Sequence, residues 1–170
     1  MLLGTTRTVF EQDKYKILKA SSRDAPVVSA LTKGDWSERV AISQRRKTDN
    51  PTQIAEDLRS GGGLVLYRNN LPVAALSYVH ARDGSWELRR LGVTRSFSGR
   101  GFTTLLLDTL EKLARKADVR SIRIPVETYS PQYKAYFEKL GFSVDADRTF
   151  STVFASALQP IRMRKVVGAK

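Results

Sequence analysis

The sequence predicts a single α/β domain of the α+β kind, with helices flanking a mixed central sheet of about six or seven strands. Three observations carry this expectation. Strand and helix signals alternate along the 170 residues, a length that suits one core. A strand, a glycine-bearing turn and an amphipathic helix follow one another from Trp86 to Ala117. A further apolar strand then begins at Ile122, so the helix acts as a right-handed crossover between two parallel strands.

Taken in order, Tyr15 to Ala20 is a short strand, and Ser22 to Leu31 is a helix with Ser22 or Asp24 as its N-cap. Lys33 to Asn50 is polar and carries no clear period. A second helix begins near Pro51 and Thr52, places Ile54 and Leu58 on one face, and stops at Gly61, Gly62 and Gly63. Leu64 to Tyr67 and Val73 to Val79 are strands joined through Asn69 and Asn70, which tolerate the positive φ of a tight hairpin. Arg82 to Ser85 turn the chain into a third antiparallel strand, whose apolar run is Trp86, Leu88, Leu91 and Val93.

The helix that follows repeats Phe102, Leu106, Leu110, Leu113 and Ala117 on one face, with Asp108/Lys112 and Glu111/Arg115 four apart outside. Ile122, Ile124 and Val126 alternate with Arg123 and Pro125 as in a half-buried strand. A last helix has Ser130 as N-cap, Pro131 in its first turn, Tyr133, Tyr136, Phe137 and Leu140 on one face, and Gly141 as terminator. Phe142 to Val144 and Phe150 to Ala155 read as closing strands. The domain is expected to span residues 1–160, followed by a basic C-terminal tail, 161–170, that includes Arg162, Arg164, Lys165 and Lys170.

Composition narrows the chemistry. The chain has no cysteine and one histidine, His80, which leaves no thiolate nucleophile, disulfide or histidine cluster, so no metal is expected. There is no run of roughly 18 uncharged apolar residues and no secretory h-region after Met1, so a soluble, cytoplasmic protein with no membrane partner is expected. The net charge of +12 favours acidic ligands. Short clusters at Arg45–Arg46–Lys47 and Arg89–Arg90 read most simply as solvated faces.

The turn Ser98, Gly99, Arg100, Gly101 lies at the start of a helix, where unpaired N–H groups and the helix dipole favour an anion. With Phe102 and Thr103 it resembles the R/Q-x-x-G-x-G/A cradle of the GNAT superfamily of N-acetyltransferases. The late stretch Ala135–Tyr136–Phe137–Glu138–Lys139–Leu140–Gly141–Phe142 resembles that family's aromatic-x-x-x-G-F ending. The resemblance covers Trp86 to Phe142 and departs from the pattern at Ser98, in place of arginine or glutamine, and at Thr103, in place of a small residue.

The resemblance implies acetyl-CoA as co-substrate. Two parallel strands, Trp86 to Thr94 and Ser121 to Glu127, would splay to admit the pantetheine arm beside Leu91, Gly92 and Val93. Its pyrophosphate would rest on the cradle formed by Ser98, Gly99, Arg100, Gly101, Phe102, Thr103 and Thr104. The Leu91 N–H would polarise the acetyl carbonyl. Glu87, at the place of the family's glutamate base, would take the proton of the amine. Where many members have a tyrosine that protonates the departing thiolate, this chain has Phe137, so Tyr133 or Tyr136 is the expected substitute.

The acceptor groove would be lined by Ser22 to Gly63, where Trp36, Arg45, Arg46 and Lys47 are candidates for contact, and by Phe142 to Ala155. A basic enzyme suits an acidic or macromolecular acceptor: a protein, a ribosome-associated protein or a tRNA-linked amine. A homodimer is compatible with this expectation. The alternative is a catalytically weak or inactive module of the same fold that acts as a basic binding or assembly protein.

Overall fold

The computed structural model describes residues 7–33, 50–126, 131–145 and 161–168. They form one mixed eight-stranded sheet with helices on both faces. In chain order the elements are β1 (Thr8–Gln12), β2 (Tyr15–Lys19), α1 (Ala25–Thr32), α2 (Pro51–Ser60), β3 (Gly62–Arg68), β4 (Leu71–His80), β5 (Trp86–Val93), α3 (Phe102–Lys116), β6 (Ser121–Val126), α4 (Pro131–Lys139), β7 (Ser143–Val144) and β8 (Ile161–Val166). The sheet order is β1-β2-β3-β4-β5-β6-β8-β7, and only β5 and β6 run parallel.

Local chemistry accounts for the turns. Asn69 and Asn70 both adopt positive φ, 47° and 70°, so β3 and β4 close through the two-residue hairpin their sequence predicts. Asn50 caps α2 by accepting the Gln53 N–H at 2.7 Å, and Pro51 occupies the first turn, where a missing N–H costs nothing. The Ser21 N–H donates to Asp24 Oδ2 at 2.7 Å, in a short 3-10 turn that leads into α1.

The two faces of the sheet hold two cores. Trp86, Leu88, Leu91 and Val93 of β5 point with Ile122, Ile124 and Val126 of β6 into the larger cluster, against Phe102, Leu106 and Leu110 of α3 and Phe137 of α4. Strict alternation would put Leu88 and Leu91 on opposite faces. A β-bulge reconciles them: Ser77 pairs with Arg90 and Tyr78 with Leu88, so Arg89 is an extra residue in β5. On the other face Val65 and Ala75 pack with Ala25 and Val28 of α1 and Ile54 and Leu58 of α2.

Three expectations need correction. Residues 161–166 are not part of a tail beyond the domain: β8 lies between β6 and β7 and pairs with β6 along its whole length. Its charged side chains are neutralised by carboxylates distant in sequence, Arg162 by Asp145 at 2.9 Å and Lys165 by Glu111 at 2.9 Å. Glu111 is therefore buried beneath β8 rather than on an outer side. An extra strand, β1, precedes β2 and completes the hairpin through Asp13, which has φ 54°. The expected strand Phe150 to Ala155, the cap Ser130, Glu127, Lys170 and the 34–49 stretch with Trp36, Arg45, Arg46 and Lys47 lie outside the described residues.

Candidate active site

The site begins where the sheet opens. β5 pairs with β6 only at Trp86–Ile122 and Glu87–Arg123, and among the described residues no further ladder joins them. On its other edge β6 stays fully paired with β8. The ladder between the strands therefore ends at Glu87, and among the described residues no strand pairs with the β6-facing edge of β5 beyond it, which leaves a slot whose walls carry backbone hydrogen-bonding groups.

Glu87 stands at the apex of that slot, 2% exposed, with Arg89 Nη1 3.7 Å from its Oε1. Ordinary alternation puts Glu87 and Arg89 on one face of β5, and the bulge that follows turns Arg90 away from the larger core. Beside Glu87 across the parallel pairing, Arg123 donates to Asp83 Oδ1 at 2.9 Å, and Arg164 of β8 reaches Asp83 Oδ2 at 3.7 Å. Burial acts to raise the Asp83 pKa, but two hydrogen bonds from Ser85 and the two guanidiniums outweigh it and hold the carboxyl below its ordinary value.

Arg90, expected with Arg89 on a solvated face, is 1% exposed. It donates to Asp57 Oδ2 of α2 at 2.9 Å and to Ser77 Oγ at 3.3 Å, while Gln53 Nε2 donates to the second Asp57 oxygen at 2.9 Å. A buried arginine needs such a partner, and no local pattern points to one 33 residues away on α2. Leu91 is fully buried next to it. Gly92 turns its missing side chain away from the slot: an added Cβ would meet the Leu31 carbonyl oxygen at 2.2 Å, so its glycine admits α1.

Past β5, Thr94 holds the strand end to β4, donating its N–H to the Val73 carbonyl at 2.8 Å and its hydroxyl to the same oxygen at 3.0 Å. A 3-10 turn, Arg95–Phe97, leads into Ser98–Gly101. Gly99 and Gly101 have φ 76° and 80°, and an added Cβ would meet nothing within 4 Å, so conformation rather than space requires glycine there. The first helical bond of α3 runs from the Leu105 N–H to the Gly101 carbonyl. The N–H groups of Phe102, Thr103 and Thr104 therefore face out of an N-terminus that has no side-chain cap.

Ser98 turns its hydroxyl back to the Arg95 carbonyl at 3.0 Å. Arg100 lies with its guanidinium carbon 4.9 Å from the centroid of the Phe97 ring. Phe102 is a core residue, its ring 6.1 Å from Phe97 and 5.3 Å from Tyr15. Thr103 is half-buried and Thr104 exposed.

Phe137 is completely buried between Tyr136 and Phe142, which makes it core. Tyr133 and Tyr136 are both half-buried against the larger cluster, so helical position alone does not rank them. His80 ends β4, exposed and stacked on Trp86 at 5.9 Å. Burial pushes the Tyr78 hydroxyl up to about 12, so it stays protonated in the stack it forms with Trp86 at 4.3 Å. The open strand edge, the glycine turn and the uncapped helix start fit an extended ligand with a phosphate at one end and amides along its length.

No curated protein matches the chain at significant similarity. Solved structures do. The paiA N-acetyltransferase of Thermoplasma acidophilum, in complex with coenzyme A, aligns with a TM-score of 0.69 at 15% identity over 91% of this chain and 99% of its own. The ribosomal-protein-S18-alanine N-acetyltransferase of Escherichia coli aligns at 0.69 and 16% identity over 92% and 96%. Ard1 of Thermoplasma volcanium aligns at 0.65 and 17% identity over 91% and 99%. These likenesses establish the fold. The sequence profile described as the acetyltransferase (GNAT) family matches residues 28–142. With the profile spanning more than half of its length and the slot and cradle falling inside that span, the chain belongs to the acetyltransferase (GNAT) family, whose members carry out acyl transfer.

Proposed function

We propose that this protein is an acetyl-CoA-dependent N-acetyltransferase acting on a primary amine of an acidic or macromolecular acceptor. The observation that carries this reading is the end of the β5–β6 ladder at Glu87, with the glycine cradle at the far end of the same strand. Acetyl-CoA supplies an acyl group on a good leaving thiolate. This chain's residues bind it, orient it and manage the protons.

The N–H groups at the start of α3 and the guanidinium of Arg100 favour the pyrophosphate. The edge of β5 beyond its ladder with β6 would offer the pantetheine amides a strand to pair with, and the Leu91 N–H would donate to the acetyl oxygen as negative charge develops there. The amine nitrogen bonds to the acetyl carbon and the carbon–sulfur bond breaks. Glu87, directly or through water, takes the proton the amine loses. The thiolate leaves as such or takes a proton from Tyr133 or Tyr136, since Phe137 has none to give.

The net charge of +12 supports an acidic acceptor or one that bears phosphate. The likeness to an enzyme whose name specifies an alanine of a ribosomal protein supports a macromolecular one. The decisive test is a screen of peptide, polyamine and RNA-linked amines with acetyl-CoA, alongside calorimetry of cofactor binding. Absence of binding at submillimolar cofactor overturns the reading. With an acceptor in hand, Glu87→Gln is expected to lower kcat by about 100-fold or more and to remove the base limb of the pH profile. Full activity across pH in that variant removes Glu87 as the base.

A further inference from the structure

The cradle lacks the arginine or glutamine that the family pattern has at Ser98, and the Ser98 hydroxyl is already bonded to the Arg95 carbonyl within its own turn. A different arginine stands nearby. Arg68, the last residue of β3, pairs across the sheet with Tyr15, whose ring meets Phe102 at the start of α3. Its guanidinium carbon is 5.7 Å from the centroid of the Phe97 ring, the same ring that carries Arg100 at 4.9 Å. Phe97 is the residue immediately before Ser98. The β3–β4 hairpin thus delivers a second guanidinium to the cradle from a part of the chain outside its motif.

Most of the described arginines have a carboxylate close by, and this pair does not. Arg7, Arg59, Arg89, Arg90, Arg115, Arg123, Arg162 and Arg164 each lie within 4 Å of a carboxylate. Among the described residues neither Arg68 nor Arg100 has a carboxylate within that distance, a property they share with Arg23, Arg82, Arg95 and Arg120, but only these two meet on one ring beside the cradle. Two guanidiniums gathered around one aromatic ring repel each other, and a ring face attracts each of them only weakly. A phosphate bound at the cradle would supply the counter-charge that both guanidiniums lack among the described residues.

We infer that Arg68 and Arg100, steadied on Phe97, form a phosphate clamp for the cofactor, with Arg68 substituting for the side chain absent at Ser98. The inference rests on the proposed cofactor but adds a residue that its motif does not contain. A guanidinium also suits the task chemically, since its planar fork binds phosphate oxygens in pairs where an ammonium meets them as a point charge.

Calorimetry on wild type, Arg68→Met and Arg68→Lys, with coenzyme A, dephospho-coenzyme A and phosphate-free pantetheine, tests it. Arg68→Met, which keeps an apolar stem against Phe97, is expected to weaken coenzyme A about tenfold or more and to flatten the salt dependence of binding. Arg68→Lys is expected to fall between the two, and pantetheine is expected not to follow the series. Equal losses for coenzyme A and its dephospho form place the clamp on the pyrophosphate. A loss confined to coenzyme A places it on the 3′-phosphate, and either result supports the clamp. Unchanged coenzyme A affinity in a folded Arg68→Met, or in Arg68→Lys should the first variant not fold, overturns it. Failure of the wild type to bind coenzyme A at all overturns the proposed function instead and takes the clamp with it.

Discussion

Individual residues behave here according to the partners the fold brings them. Arg89 and Arg90 are neighbours in sequence, yet alternation sets Arg89 beside Glu87 while the bulge turns Arg90 into a closed ion pair with Asp57. Arg90 and Asp57 are each under 8% exposed. A buried pair of this kind adds little net stability over apolar residues of the same size, but breaking it strands a charge. Asp57→Ala is therefore expected to destabilise the protein by about 3–5 kcal/mol in urea unfolding, and Asp57→Leu combined with Arg90→Met to recover most of that loss. A single variant as stable as wild type would mean that Arg90 finds another acceptor or reaches water. The same reasoning limits what the sequence could show of the site. Ser98–Gly101, Leu91 and Glu87 are legible because their chemistry is local to a strand and a turn. Asp57 and Arg68 are not, since each gains its role from contacts made across the sheet.

At the scale of elements, legibility follows how much of an element's pattern is self-contained. The α3 helix and the Asn69–Asn70 hairpin declare themselves, the first by its leucine period and the second by two residues suited to positive φ. Ile161–Val166 reads as a basic segment because three of its six residues are charged, and only the tertiary fold brings Asp145, Asp83 and Glu111 to answer them. Met163 in the middle of the strand is fully buried and the following Val167 is 3% exposed, while Val166 between them points to solvent. Removing residues 161–170 would uncover the whole β6 edge, detach β7 and leave buried carboxylates without their cations. The truncated chain is expected to lose its cooperative thermal transition and near-ultraviolet dichroism, as a protein without specific packing does. A cooperative transition close to that of the full chain would show that β8 contributes little to the fold.

For the molecule as a whole, the decisive property is that its sheet is nearly two sheets. β1 to β5 form an antiparallel half and β6 to β8 form another, and among the described residues they are joined by two ladder pairs, by the ion pairs of Asp83 with Arg123 and Arg164, and by the packing of α3 across β3 to β6. The open edge between the halves is a cost in the free protein, since strand backbone facing a slot must be satisfied by water. A ligand that pairs with this edge restores what the sheet lacks and bridges the halves, so its binding energy becomes folding energy for the whole chain. At a coenzyme A concentration 100-fold above Kd the protein is expected to gain about 2.7 kcal/mol of stability, read as a raised melting temperature. Hydrogen exchange locates the gain. Amides in Leu88–Val93 are expected to slow on addition of coenzyme A, together with those of Phe102–Thr104 at the cradle. Protection at the cradle alone, with the strand amides exchanging as before, would mean that the ligand is held by its phosphates and never enters the slot. Glu87, at the apex, would then be too far from the thioester to serve as its base.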